Sequence, residues 1–600
     1  ILDEDNMASD DPAGLATQQS IKAYVDAQVG TVDTLAEILA NGNTTGGTNL
    51  VVSSGDTLDV DGSIDANGTI KLDGNYPVGT GNVALGDTAL DDGSLSGDNN
   101  TAVGSLAMTA NTTGTQNAAF GQAALDANTT GSNNTALGRL SVSANSTGSN
   151  NTGVGHSALA SNTTASNNTA VGYQAGYSNA TGVGLIAVGY QAAYNTTGNH
   201  NTGVGYQALF QNTTGGSNIA FGNFALNNNT TASNNTAVGY QAADANTTGT
   251  RLVAVGASAL GANTTGNYNT AIGANSSLAL TTGNNNTSLG DSSLANTTTG
   301  SSNTALGQGS LGSNTTASNN TAVGYQAGYS NSTGQQITLI GYHAGYNNTA
   351  DRTTALGYRA LSGNTSGDRN TAMGWQSMVS TSTGAYNAAY GHESLQANTT
   401  GSNNAAFGYV SLSLNTVGVE NTAFGAYALQ SNTSASYNTA VGKSSGAANT
   451  TGNKNTSVGY TSLRYNTTGS QNTAIGKDAM QQNTTGNFNT AVGHAALPLS
   501  TTASYNTAVG FQAAYSNTTG ADNTAMGGNS LYTNTTGNYN VASGYASLRL
   551  NTTGSSNVGL GYEALRSNTT ASNNTAVGYQ ALDDNTTGAQ NTAVGQGAAS

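Results

Sequence analysis

Large apolar residues return at two fixed places in a 17-residue phrase that fills most of this chain. Asn568 to Asp584, N-T-T-A-S-N-N-T-A-V-G-Y-Q-A-L-D-D, is one copy, and Asn585 begins the next. With the Asn of N-T-A-V-G numbered one, Gly is five, Tyr-Gln are six and seven, Ala-Leu eight and nine, and N-T-T-G twelve to fifteen. The Gly recurs 31 times from Gly86 to Gly595, and 27 of the 30 intervals are 17 residues. A short period held over so long a run is the mark of stacked repeats, each copy resting on the last.

Position four is large and apolar, as in Val103, Phe120, Leu137, Val171 and Val577, and position nine is usually Leu, as in Leu125, Leu159, Leu209 and Leu582. These two series are the expected core ladder. The surrounding Asn, Thr and Gly disfavour an amphipathic helix, so two short strands per unit, bent at Gly and Asn, are expected. Two intervals of 16 residues and one of 18 change length after position nine, which puts a turn at positions ten to twelve. Burying one Val or Leu contributes roughly 1.5–3 kcal/mol and fixing one residue costs about 1–2 kcal/mol, so a single unit cannot fold alone. Stacking changes that balance, because every strand then pairs above and below and like residues align, with Asn amides bonding from copy to copy. The expected fold is an all-β repeat fibre, a β-solenoid or flat β-roll of about 31 units over residues 81–600. At about 4.8 Å per step it is a rod of roughly 140 Å.

Ahead of the array the pattern changes twice. Residues 1–15 are acidic and broken by Pro12, which reads as a linker. In residues 16–42, Ile21, Tyr24, Val25, Val29, Val32, Leu35, Ile38 and Leu39 recur at helical spacing, and Asn41-Gly42 ends the run. That is a short helical segment whose apolar stripe suits oligomerisation. Residues 43–80 alternate apolar and polar residues, a short β connector.

Charge is confined to the front. Residues 1–100 hold 17 Asp and Glu against 2 Lys, whereas the remainder holds 12 acids against 11 bases. An array so nearly neutral lacks the basic face that phosphate neutralisation needs, which excludes nucleic acid as a partner. No apolar run approaches the ~20 residues of a membrane-crossing helix, so membrane insertion is not expected. With no Cys there are no disulfides or thiolate metal sites. The five His (His156, His200, His343, His392, His494) stand mostly where Tyr does, without a recurring second ligand type, and read as substitutions rather than metal ligands. No nucleophile-base grouping or carboxylate pair recurs, so no catalytic, cofactor or metal residue is expected and the chain is not an enzyme.

Two features carry candidate function. Tyr at position six (Tyr173, Tyr190, Tyr206, Tyr240, Tyr325, Tyr579) forms an aromatic stripe that can stack on sugars or on its own neighbours. The N-x-T phrases, such as Asn128-Thr129-Thr130 and Asn133-Asn134-Thr135, match a glycosylation acceptor, and turn ladders generate the same letters. Thr-rich flat faces also suggest an ice-binding or matrix fibre.

The N-T-A-V-G-Y-Q-A-L phrase resembles the arrays of phage tail-fibre proteins. It is similar, more distantly, to the A-I-G-x-x-A repeats in the heads of trimeric autotransporter adhesins, whose period is shorter. The opening stretches I-L-D-E-D-N-M-A-S-D and A-T-Q-Q-S-I-K-A-Y-V-D-A-Q-V resemble a segment of marine phage fibres. The resemblance implies a left-handed, homotrimeric shaft located on a virion or otherwise outside the cell. It also implies an attachment protein at the N-terminal side and a host receptor met through a C-terminal tip that lies beyond Ser600. The alternative it leaves open is a microbial surface adhesin whose array itself binds glycans.

Overall fold

The glycine that marks the period holds a backbone conformation that suits no other residue. In all 31 units its φ lies between +125° and +141°, a region that L side chains rarely enter. It also lies directly on the next copy: a Cβ added to Gly121 would stand 2.7 Å from the carbonyl carbon of Gly138. Conformation and contact together require Gly here, and that requirement writes the period into the sequence.

The computed structural model describes residues 79–600, and these belong to one compact unit, 73–600. Each copy of the phrase is one turn, or rung, of a parallel β-solenoid. Positions two to four form a three-residue strand, from β1 (Val83–Leu85) to β31 (Thr592–Val594). Each strand pairs in parallel with the next in the chain, Thr236 with Val253 and Ala237 with Ala254 for example, so that like positions align. One strand per rung forms, where two were expected. The remainder is a chain of turns that still bonds between rungs: Leu125 N donates to Ser141 O (3.0 Å) and Thr112 N to Thr129 O (2.9 Å).

Those turns need left-handed residues. Positions seven, nine and seventeen have positive φ almost throughout, as at Gln174 (52°), Leu125 (53°) and Asn133 (59°). Outside glycine this conformation is disfavoured by about 1–2 kcal/mol per residue, and the rung-to-rung bonds of both flanking peptides offset it. Asn at seventeen suits the conformation best.

The core corrects the expected ladder. Leu125, Leu159, Leu209 and Leu582 at position nine are buried. Position four is not: Phe120 is 40% exposed, Leu137 49% and Val171 36%, and Val103 and Val577 are half-buried. Successive strand residues point to opposite faces, and it is Ala at position three, as Ala102, Ala119, Ala136, Ala170 and Ala576, that points inward and is buried. A 17-residue turn encloses too little space for two large side chains per rung. Where position three is Leu339, position nine is Gly in its own rung and the one before: Cβ atoms at Gly345 and Gly328 would stand 2.6 and 2.8 Å from Leu339 methyls. The apolar core runs in three lengths, Ala89 to Leu280, Leu294 to Ala440 and Leu463 to Ala593. Buried serines lie between them, Ser276 bonding Ser288 (2.6 Å) and Ser293 (3.0 Å), and Ser445 bonding Ser457 (2.7 Å) and Ser462 (3.0 Å).

Two rows of Asn complete the interior. At position twelve, Asn128 Nδ2 donates to Asn111 Oδ1 of the previous rung (2.8 Å) and to Gly131 O (2.9 Å). At position one, Asn134 N donates to Asn117 Oδ1 of the previous rung (2.9 Å), while its own Nδ2 donates to Gly148 O, position fifteen of the same copy (2.9 Å). Buried amides satisfied this way are a stable filling for a narrow interior.

Length changes also fall elsewhere than expected. In both 16-residue turns the missing residue is position fourteen, because Thr196 and Asn348 keep the buried place of Asn at twelve, and Gly198 and Ala350 keep that of Gly at fifteen. In the first turn four residues, Asp91 to Ser94, replace the usual two between positions nine and twelve, and one residue, Ser96, replaces two between twelve and fifteen, a net gain of one. The expectations for residues 1–15, 16–42 and 43–78 lie outside the described residues.

Candidate functional site

What the fold presents, among the described residues, is rows. The strand sends positions two and four to the outer face, and position six follows the Gly corner beside them. Because the rungs are in register, any residue type repeated at one position becomes a continuous line.

The Tyr line is stacked on itself. Tyr173 lies 5.2 Å from Tyr190 between ring centres with 12° between planes, Tyr190 lies 5.1 Å from Tyr206 at 6°, and His156 caps Tyr173 at 5.4 Å. A second line runs through Tyr325, Tyr342, Tyr358, Trp375, His392 and Tyr409. A third joins Tyr545, Tyr562 and Tyr579. Each ring is about half exposed, but the exposed part is its edge. Stacking on a sugar needs a ring face, and the faces of Tyr173 and Tyr206 are covered on both sides, Tyr206 by Tyr190 and edge-on Phe224 (5.2 Å, 66°). Tyr240, Tyr325 and Tyr579 end their lines, because position six of the neighbouring rung is Ala257, Gln308 or Gln596, so the aromatic stack stops at each of them.

Four of the five His belong to these lines. His156, His392 and His494 stack in the Tyr row, His494 on Phe511 at 5.5 Å. His343 at position seven sits 3.0 Å from Gln326 Oε1, and burial, then Arg359, holds its pKa below the ordinary imidazole value. Among the described residues no group of three or more His, Asp or Glu converges. Position seven also carries an amide line, Gln207 Nε2 donating to Gln191 Oε1 (3.0 Å) and Gln191 Nε2 to Gln174 Oε1 (2.9 Å).

The two N-x-T series differ in access. Asn128 and its equivalents at position twelve are buried with the amide engaged twice, whereas Asn133 at position seventeen is exposed. A modifying enzyme meets only the second series on the folded rod.

One groove, about 450 Å3, opens where Ser258 and Gly261 leave two rows short; Gln241, Asp244, Leu278 and Ala279 line it. Burial pushes the Asp244 carboxyl above its ordinary pKa.

Sequence reasoning expected Asn amides to bond from copy to copy but placed them in turns; it missed that both Asn rows are buried, and it missed the inward Ala. The signal for both was available: Asn at one and twelve and Ala at three recur as steadily as the apolar residues, which a solvated turn does not demand. Comparison with protein-family models, curated proteins and solved structures returns no match.

Proposed function

We propose that this chain is the structural shaft of a viral, phage-type tail fibre, a left-handed homotrimer that holds a host-recognition tip away from the particle. The observation that carries the reading is the unbroken succession of 31 strands, each paired in register with the next in the chain. Every rung is bonded to both neighbours through strand, turn and side-chain amide at once, so bending or slipping one rung breaks several bonds together. Such a body suits a spacer, and the wealth of structural bonds contrasts with the lack of converging reactive groups on it. In this reading the N-terminal side joins an attachment protein of the virion, and no cofactor takes part.

The test is immunogold labelling of purified virions and of the cells that release them, with antibody against the full chain. Label in a line on fibres at the particle tail is expected. Label restricted to the surface of uninfected cells overturns the viral reading.

The ends of the aromatic lines at Tyr240, Tyr325 and Tyr579, where no further ring stacks in the row, favour one second reading, a microbial surface adhesin whose array binds glycans itself. A glycan array probed with the native chain and with Tyr240→Ala, Tyr325→Ala and Tyr579→Ala together separates the two: a pure spacer gives no signal in either form.

A further inference from the structure

The residues expected in the core stand outside it, and that leaves them without a cover. From Leu85 to Val594, position four is Val, Leu, Ile, Met, Phe or Tyr in 30 of 31 rungs, Ser543 being the exception, and none of these side chains is buried. Beside this row runs position two, mostly Thr, and neither row contains a charged residue in any of the 31 rungs. The strip is about 140 Å long and about 10 Å wide, from strand spacing and rise, and thus on the order of 1,400 Å2. The largest apolar patch on a typical monomer is roughly 300–600 Å2, and a stable interface buries about 800 Å2 on each partner. This face exceeds both.

Its occupant is constrained by repetition. A globular partner of ordinary interface size covers about half the strip and meets the same two positions at every rung, with nothing to fix where it sits. A partner that covers the whole strip must present a complementary surface every 4.8 Å or so for 30 steps. A second copy of this chain has that repeat and that length. Self-association also accounts for the missing charge, because identical rungs that meet set any charge against its own kind.

We propose that copies of this chain associate through the position-four face, side by side, in the same direction and rung against like rung. The common direction rests on the shaft reading, since a fibre anchored at one end needs all copies to point the same way; the choice of face does not.

The chain has no Cys, so a single introduced Cys reports contact cleanly. In the full chain, Val171→Cys on this face is expected to form a disulfide between copies under mild oxidation, and Thr130→Cys, exposed at position fourteen, is not. The native chain is expected at a multiple of 59.5 kDa in light scattering at micromolar concentration. Ile272→Asp, Ile340→Asp and Ile475→Asp combined, at sites already 36–39% exposed, should lower that mass with the β-type circular dichroism retained. A native mass of 59.5 kDa, a multimer undisturbed by the three Asp, or equal cross-linking at Thr130→Cys overturns the inference. Cross-linking of Val171→Cys only when mixed with Val509→Cys overturns the common direction. Association through this face in a protein absent from virions leaves the inference standing and removes the shaft reading.

Discussion

Leu280 occupies the rung above Asn263 in the inner amide row, and Asn263 Oδ1 is consequently buried with no donor. Asn263 still donates to Asn246 Oδ1 at 3.0 Å, so one of its two links along the row survives. Asn364 and Asn483 are in the same position, below Thr381 and Ser500. The row is a set of finite amide chains, and the rungs that end them differ from the rest in how much they bind.

That difference is measurable. Asn128→Ala removes two links, the donation to Asn111 and the acceptance from Asn145 at 2.8 Å, whereas Asn263→Ala removes one. Each net hydrogen bond contributes about 1 kcal/mol, so Asn128→Ala should weaken hydrogen-exchange protection of its flanking rungs by about 1 kcal/mol more. Equal losses at the two sites would mean that the amide row does not act by links.

Gly121→Ala sets a left-handed, glycine-only backbone and a backbone contact of 2.7 Å against one methyl group. The conformational part alone costs about 1–3 kcal/mol, and the clash adds to it. Gly261→Ala is the comparison: its φ is ordinary, and the nearest atoms, Ser258 O and a Leu278 methyl, lie 3.2 and 3.3 Å away, the methyl being free to turn. Limited proteolysis should cut the first variant near rung Gly121 and spare the second.

The contrast between those two glycines also shows what a reader of the sequence can and cannot recover. The period, its parallel stacking and the burial of Leu125 or Leu209 follow from spacing, because one residue type in one place every 17 residues has no other economical explanation. Which face Val171 takes does not follow. Size ordinarily predicts burial, and here the enclosed space is so narrow that Ala170 goes in and Val171 out. The same narrowness hid the burial of Asn128, whose rung-to-rung bonding was expected in a turn rather than in the interior. The aromatic row was visible as Tyr173, Tyr190 and Tyr206, with stacking on sugars or on neighbouring rings both open, and the in-register geometry shows the rings using one another's faces.

Asp244 gives the array a local pH response. Burial raises its folded pKa above that of the unfolded chain, so its contribution to stability is fully present below the ordinary carboxylate range and is lost as pH rises through the raised value. At pH 7 the charged group therefore weighs against the fold. Asp244→Asn should raise the melting temperature at pH 7 and leave it unchanged at pH 3; an increase of the same size at both would assign the effect to packing.

Removing a ring inside a line should cost more than removing one at its end. Tyr190→Leu breaks stacking with both Tyr173 and Tyr206, whereas Tyr579→Leu breaks one pair, with Tyr562. At about 0.5–1.5 kcal/mol per aromatic pair, local hydrogen-exchange protection should fall about twice as far in the first variant. Equal falls would show that ring area, and not the line, sets the energy.

Small-angle X-ray scattering of the full chain measures most directly whether the 31 rungs stack into one continuous body. A rod of about 140 Å has a radius of gyration of about 40 Å or more; a compact globule has about 25 Å for one 600-residue chain and about 38 Å for three, without a rod's cross-sectional decay. The larger value is expected, with the cross-sectional decay of a thin rod. A globule's value without that decay, or a flexible-chain profile, would contradict the stacking.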